Sequence, residues 1–558
     1  MPSMLDRKYD AVLAKVIGEG GRVQIGRDPD GRAIVANFPP ALPALFDIFC
    51  ALNGAAEGVV AGDERLTFAE LNQHATRLAR ALAGSGIAKG DRIAIAMRNC
   101  PAWIVCWMAV LKAGGIATLI NGWWQADEMR HALALTEPKL VVADAPRAKR
   151  IEATGLGMPV VTLDIDRPVG EAIAPLVGEA EADLPEIAPE DDATILFTSG
   201  STGLAKGAVS THRAVTTGVY AYAIGLMTLL GIKESEGQPP VSPPRTLVNV
   251  PLFHVTGEVP VLLNSFVIGR TMVLMPRWDA GEALRLIERE KITYFVGVPT
   301  MSLELMQHPD REKYDLSSLT DIAAGGAPRP VSHVTRLEES FTAAQPALGY
   351  GLTETNAVGC SNFWSNYHEK PASTGRAQQP LVEIAILGDG DLHLPAGERG
   401  EIAIRSAANI RGYWRDETAT RAALTEDGYV RTGDIGYLDE DGYLFIVDRK
   451  KDIIIRGGEN ISAQEVEAAI YAHPAVSEAA VFGVPDERLG EVPGAVVYSE
   501  TGGVDPDGLL AFLSEHIAQF KLPAYVWMDG EPLPKLGTGK IDKVELRERY
   551  HKLAAEAA

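Results

Sequence analysis

The sequence is poor in cysteine, in basic charge and in long hydrophobic runs. Its 558 residues hold four cysteines, Cys50, Cys100, Cys106 and Cys360, none in a C-x-x-C pair or at metal-ligand spacing. That excludes a disulfide framework and a zinc or redox centre built on paired thiols, and reads as buried thiols of a reducing compartment. The formal net charge of −22 argues against broad nucleic-acid binding, which needs a basic surface to displace counterions. It leaves room for one local basic pocket. The stretch Met1–Lys15 carries Asp6, Arg7, Lys8 and Asp10 and lacks the apolar core of a signal peptide. The nearest approach to a membrane span, Ala214–Ile232, is uncharged but rich in Thr, Gly and Tyr. It is expected to be a buried helix beside a ligand cavity, so no transmembrane segment and a cytoplasmic location are expected.

What is present is ordinary globular composition, 46% hydrophobic and 23% charged, in a chain too long for a single core. Short β-rich runs (Arg92–Met97, Ala193–Phe197, Thr246–Val250, Thr271–Met275, Ile292–Val296) alternate with helical patterns such as Phe68–Ala83 and Ala280–Arg289. That alternation predicts crossover units and a largely parallel sheet. Surface loops are expected at Ile187–Asp192 and at Gly231–Arg245. After about residue 385 the segments become hairpin-like, with turns at Gly397–Glu401 and Asp439–Tyr443. A smaller α+β unit follows the charge run Asp448–Asp452, with strands at Ala479–Phe482 and Gly494–Tyr498 and helices at Ala463–Tyr471 and Asp507–Ile517.

The most informative segment runs from Ile195 to Gly207. A β-branched and aromatic run ends in Thr198-Ser199-Gly200-Ser201-Thr202-Gly203-Leu204-Ala205-Lys206. Glycines free the backbone to aim N–H groups at an anion, hydroxyls add donors, and the lysine adds a point charge: the parts of a triphosphate cradle. The spacing is not that of the P-loop, where Gly-Lys-Ser/Thr are adjacent. Nor is it a nucleophile elbow, because Ser199 stands where G-x-S-x-G needs its first glycine.

This segment resembles the signature of the adenylate-forming superfamily of acyl-CoA synthetases, peptide-synthetase adenylation domains and luciferases. The resemblance covers about residues 40 to 545, with further motifs in the expected order. It implies an α/β fold: a large N-terminal domain of several subdomains, with helix-packed, parallel-rich sheets and a small β-rich subdomain, followed by a small mobile α+β C-terminal domain. The corresponding boundaries are 1–40 for an N-terminal extension, 41–447 for the AMP-binding domain, 448–452 for a hinge and 453–558 for the mobile domain. In the segment Gly349-Tyr350-Gly351-Leu352-Thr353-Glu354, the resemblance places Tyr350 on adenine, Thr353 on the α-phosphate and Glu354 on Mg²⁺, with Thr198 as the other metal-side oxygen. A hard cation with few protein ligands and phosphate for the rest is chemically sensible. Gly325-Gly326-Ala327 resembles the adenine-side loop, Asp434 and Arg449 the ribose contacts, Lys451 the hinge residue and Lys540 the adenylation lysine.

His254, in Val250-Pro251-Leu252-Phe253-His254-Val255-Thr256-Gly257, matches a position bordering the substrate carboxylate, and Val255, Thr256 and Gly257 are expected to shape the acyl pocket. Peptide-synthetase domains usually carry aspartate where His254 stands, which disfavours an amino-acid substrate. Where some long-chain members place an aromatic gate, this chain has Gly257-Glu258. Arg456-Gly457-Gly458-Glu459 resembles the loop that CoA ligases bring in after the C-terminal domain rotates. The resemblance thus implies ATP, Mg²⁺ and coenzyme A, and a small-molecule carboxylic acid: first a medium- or long-chain fatty acid, alternatively an aryl acid of the cinnamate type. An acyl-adenylate ligase loading a carrier protein, a luciferase-like oxidase and a non-enzymatic binding protein are the competing readings. The first 40 residues lie outside the resemblance and are open to two roles, a homodimer contact or packing on the large domain.

Overall fold

The computed structural model describes residues 2–178, 180–198, 205–326, 329–449, 452–456, 459–486, 488–536 and 539–557. Among these, two large sheets carry the N-terminal part. In the seven-stranded sheet, Arg92–Ala96, Ile116–Leu119, Leu140–Asp144, Val160–Leu163 and Asp192–Thr198 run parallel. Lys206–Thr211 then folds back antiparallel on Asp192–Thr198. The thirteen-stranded sheet is parallel from Glu57–Ala61 through Thr271–Leu274, Arg245–Val248, Tyr294–Gly297 and Asp321–Ala324 to Gln345–Gly351. It continues antiparallel through Gly359–Phe363 and Gly375–Ala377 into Tyr443–Arg449, Val430–Leu438, Gly400–Ser406 and Val382–Leu387. The β-rich region expected after residue 385 is therefore joined to the parallel sheet by an unbroken ladder rather than set apart. Short strand Gly375–Ala377 makes the join, and it offers almost no sequence pattern.

The helices follow local chemistry. Thr67 caps Phe68–Gly84 with a reciprocal box to Glu70, and Asp279 caps Ala280–Glu290 through the Glu282 N–H. Helix His212–Ser235, capped by Thr211, is long and apolar enough to span a bilayer, yet Val215, Val219, Tyr220 and Ile224 are buried in the main core. It runs through the first part of the loop expected at Gly231–Arg245. The reason lies in the N-terminal helix Met4–Ile17, which packs along it: a Cβ on Gly231 would sit 2.7 Å from Val12. Asp6 of that helix is buried and accepts from Asn366 (3.0 Å), Tyr443 (2.9 Å) and Arg376 (3.2 Å). Of the two roles open to the first 40 residues, packing on the large domain is the one seen. The loop expected up to Asp192 ends at Asp191, because Asp192 already pairs with Thr211.

The last sheet has five strands, Ile453–Arg456, Glu459–Ser462, Glu478–Asp486, Gly490–Tyr498 and Tyr525–Asp529, packed by Ala463–Tyr471, Pro506–Ser514 and Lys543–Ala557. The helix expected to reach Ile517 stops at Ser514. It starts early because Asp505 caps the Gly508 N–H. This unit touches the large part at several points. Lys535 Nζ, held by Glu478 of its own unit at 2.8 Å, lies 3.3 Å from Glu304, and the His333 and Tyr471 rings meet edge to face at 6.0 Å.

Candidate functional site

The residues expected to handle phosphate sit where the seven-stranded sheet turns over. Thr198 closes one strand and Lys206 opens its antiparallel partner, directly across the ladder from it. Ser199, Gly200, Ser201, Thr202 and Gly203 lie outside the described residues, as does Ala327. Lys206 Nζ is held 5.2 Å from the centre of the Tyr413 ring, and the Tyr413 hydroxyl donates to Glu354 at 2.7 Å. The Glu354 carbonyl accepts from the Ile410 N–H at 2.9 Å, and the Gly207 carbonyl from the Trp414 N–H at 2.7 Å. Segment 410–414 thus ties the lysine arm to the Thr353–Thr355 turn. Tyr413 escaped the sequence reading. Its signal was the aromatic pair Tyr413-Trp414 after Gly412, a position that only glycine fits, with φ at 156° and a Cβ that would stand 2.7 Å from Thr420.

The residues expected on the adenosine side come from both halves of the thirteen-stranded sheet. Strand Gln345–Gly351 presents Tyr350, whose hydroxyl donates to Asp434 Oδ2 at 2.6 Å. Asp434 is 4% exposed and pairs across its ladder with Arg449, whose Nε donates to Oδ1 at 3.1 Å. Burial, then the neighbouring Asp434 carboxylate, hold the Tyr350 phenol far above its ordinary range, so it remains a donor. Gly349 and Gly325 face each other at the ends of adjacent parallel strands, a Cβ on Gly325 falling 3.6 Å from the Gly349 carbonyl. At Gly351 a Cβ would meet the Ala357 carbonyl at 2.2 Å, so only glycine fits that close approach.

Lys540 comes from the C-terminal unit into this space. Its Cε and Nζ lie 3.2 and 3.5 Å from where a Cβ of Gly326 would stand, and Gly326 has a left-handed φ of 77°. Burial and the Arg449 cation push the ammonium down to about 8, against the pull of Asp434. Gly539, at φ 80°, is packed on Val298 and Met301, which seats the lysine loop on helix Pro299–Gln307. Arg456, by contrast, donates to the Phe520 carbonyl within its own unit and pairs with Glu459 across a hairpin. Gly457, Gly458 and Lys451 lie outside the described residues. Of the two C-terminal elements singled out from sequence, Lys540 is the one beside Gly326, Asp434 and Arg449.

The fourth wall begins at His254. Its ring is held neutral, burial and the nearby Lys540 charge pushing it down to about 3, and Nδ1 accepts from the Thr256 N–H at 3.3 Å. A neutral imidazole here is a wall and a hydrogen-bonding group, not a cation. Val255 is buried, and a Cβ on Gly257 would meet the Pro251 carbonyl at 2.1 Å, which fixes the tight turn into the π-helix Gly257–Leu263.

The donor set suits the ligands that the sequence implies. Glu354 with Thr198 offers hard oxygen for Mg²⁺ and leaves most of the coordination to phosphate and water. The Tyr350–Asp434–Arg449 group combines an aromatic ring with a buried carboxylate acceptor.

Comparison with known proteins agrees with this chemistry. Residues 42–414 match the AMP-binding enzyme family and residues 465–540 the AMP-binding enzyme C-terminal domain. A feruloyl-CoA synthase of Amycolatopsis sp is 35% identical over 497 residues, covering 89% of this chain and 96% of that one. A long-chain-fatty-acid–CoA ligase of Bacillus subtilis (strain 168) is 34% identical, covering 87% and 90%. The crystal structure of ATP-bound MatB from Rhodopseudomonas palustris superposes with a TM-score of 0.79 at 28% identity, over 92% of this chain and 99% of that one. The chain belongs to the AMP-binding enzyme family, in its acyl-CoA synthetase branch of acid–thiol ligases, which use ATP, Mg²⁺ and coenzyme A.

Proposed function

We propose that this chain converts a carboxylic acid and ATP to acyl-AMP and pyrophosphate, then passes the acyl group to coenzyme A with release of AMP. The observation that carries the reading is the seat of Lys540 between Gly326, the Asp434–Arg449 pair and His254. In the first step a carboxylate oxygen bonds to the α-phosphorus and the bridging oxygen leaves with pyrophosphate. Two anions must meet, so catalysis is positioning and charge stabilisation. Lys540 supplies a cation where they meet, Thr353 a hydroxyl to the α-phosphate, and Lys206 a cation to the leaving phosphates. Mg²⁺, held by Glu354 and Thr198, would neutralise phosphate charge. Tyr350, Asp434 and Arg449 hold the nucleoside, within the glycine frame Gly325, Gly326, Gly349 and Gly351.

In the second step the thiol attacks the acyl carbonyl and AMP departs. A turn of the C-terminal unit about residues 448–452 would exchange Lys540 for the loop Arg456–Glu459, a gating motion over a fixed nucleotide. The four cysteines, all buried and unpaired, suit the reducing cytoplasm in which ATP and coenzyme A are found.

The acid is a medium- or long-chain fatty acid or an aryl acid. Both classes occur among its relatives, a feruloyl-CoA synthase and a long-chain-fatty-acid–CoA ligase at nearly equal identity. AMP release measured over acids from C2 to C18 and over aromatic acids, with and without coenzyme A, tests the reading. Acid-dependent AMP release that coenzyme A accelerates, with acyl-CoA found by mass, is the expected result. AMP release indifferent to coenzyme A would transfer the reading to a carrier-protein ligase.

Asp434→Ala is expected to raise the KM for ATP by roughly 10- to 100-fold with a smaller change in kcat, because it frees Tyr350 and Arg449 and removes the buried acceptor. An unchanged KM would rule out the ribose contact.

A further inference from the structure

Lys540 is carried on a tight loop that begins at Lys535. Lys535 and Ile541 bridge antiparallel, and the Leu536 N–H donates to the Lys540 carbonyl at 2.7 Å, so fixing one lysine fixes the backbone of the other. Within its own unit Lys535 is anchored on Glu478 at 2.8 Å, whose other oxygen accepts from the Leu533 N–H at 2.7 Å. Glu478 is buried, and this anchor travels with the C-terminal unit whatever the orientation of that unit.

The large part meets this loop along one side of helix Pro299–Gln307 and its N-cap Val298. Val298, Met301 and Glu304 follow at three-residue spacing. The first two pack on Gly539, and Glu304 Oε1 accepts from Lys535 Nζ at 3.3 Å. Glu304 is not a loose surface carboxylate. Its Oε2 accepts from the Trp278 indole N–H, and that ring is packed on the buried Phe295 at 5.8 Å. Met301 is held as well, its sulfur taking the Asn249 amide at 3.3 Å. Against burial, Glu478 and then Glu304 hold the Lys535 ammonium above its ordinary range, so it stays charged at every working pH.

Resting on the reading of Lys540 as the adenylation lysine, we propose that Glu304 is a positioning residue for it. Glu304, aimed by Trp278, draws Lys535 onto the large part and thereby seats Lys540 beside Gly326 and the Asp434–Arg449 pair. A half-exposed ion pair contributes little to folding. This one joins two units in the orientation that brings Lys540 in. A turn of the C-terminal unit about residues 448–452 would break it and leave Lys535 on Glu478. Its free energy therefore falls on the balance between two orientations, where a small difference changes a population severalfold. Because Glu304 acts through Lys535 and the loop, its effect belongs to the rate of adenylation rather than to the binding of ATP.

The test uses the full chain with octanoate and cinnamate, each as the free acid with ATP and as the preformed acyl-adenylate with coenzyme A. Glu304→Lys sets two cations against each other. It should lower single-turnover pyrophosphate release by about tenfold, with the KM for ATP within about twofold of wild type. Glu304→Gln keeps the indole bond and should lose about threefold, and Trp278→Phe about as much. Trp278→Phe should add little when combined with Glu304→Lys. Thioester formation from the supplied adenylate should stay within about twofold of wild type in every variant, which also reports that they are folded. In a Lys540→Ala background Glu304→Lys should cost nothing further, since the lysine that Glu304 positions is gone. Undiminished pyrophosphate release from Glu304→Lys, equal losses in both half-reactions, or a full further loss in the Lys540→Ala background overturns the assignment. Should the wild type release pyrophosphate with no acid from C2 to C18 or of the aromatic class, the reading of the whole site falls. Should it do so and Glu304→Lys match it, only the role of Glu304 does.

Discussion

Replacing Lys540 by alanine is expected to lower adenylate formation by about 10²- to 10³-fold, while thioester formation from a supplied acyl-adenylate stays within about threefold of wild type. The argument is electrostatic. A carboxylate and a triphosphate repel as they approach, and in a site closed by Gly326, Asp434 and His254 a single enclosed ammonium offsets far more of that repulsion than it would in water. In the second half-reaction a neutral thioester forms and AMP leaves, and the proposed swing has by then withdrawn Lys540. Single-turnover measurement of each half-reaction separates the two cases, and equal losses in both would remove the lysine from its assigned role. The pH dependence carries the same signature. The ammonium is the useful form, and burial beside Arg449 pushes it down to about 8. In the free enzyme kcat/KM for ATP should therefore hold below that value and fall as pH rises through it. Bound ATP is an anion that favours the charged lysine, so kcat should fall at a higher pH than kcat/KM. Lys540→Arg, charged throughout, should lose the alkaline fall even at reduced activity.

The sequence was most legible where chemistry restricts residue type at a fixed place. The Lys206 loop could be picked out because a glycine-rich anion cradle has few substitutes, whereas Glu354, Asp434 and Lys540 were picked out by the resemblance of their motifs and by their order along the chain. The strands of the parallel sheets were legible for a related reason: buried on both faces, they read as short apolar runs, and the structure starts Arg92–Ala96 and Thr271–Leu274 where those runs start. What stayed hidden depends on partners far away in the chain. Tyr413 matters because a strand pairing brings it to Glu354, 59 residues earlier, and to Lys206, far earlier still. Helix His212–Ser235 outran the expected loop because residues of the N-terminal helix, outside every motif, lie along it. Glu258 could be read only as a departure from an aromatic position. That it is buried beside Trp107 is a fact of packing, and no period or motif encodes it.

Glu354→Gln is the second change with a large expected effect, and it separates charge from shape. Glutamine keeps the length of the side chain and an oxygen to accept from the Tyr413 hydroxyl, so the Thr353–Thr355 turn and its link to segment 410–414 should survive. What it loses is the negative charge that a hard divalent cation requires. Adenylation should therefore fall by about 10²- to 10³-fold, with the Mg²⁺ concentration for half-maximal rate shifted upward, in a variant that unfolds at the wild-type temperature. Tyr413→Phe leaves the carboxylate in place and removes only the hydrogen bond that aims it, so a loss of about tenfold is expected. Burial and the Glu354 charge both raise the phenol, which keeps its proton and donates at every working pH. Because the tyrosine acts through the glutamate, Tyr413→Phe should cost little more once Glu354 is already glutamine. Fully additive losses in the double variant would mean that Tyr413 serves the Lys206 ammonium over its ring rather than the metal-side carboxylate. That ordering matters for the proposed cycle: a carboxylate aimed by a residue of the seven-stranded sheet ties the metal position to the strands that carry Thr198 and Lys206, while Asp434 and Arg449 stand on the thirteen-stranded sheet. Nucleoside and phosphate contacts would then be set by two sheets linked through the Tyr413–Glu354 hydrogen bond, and only Lys540 would arrive from the C-terminal unit.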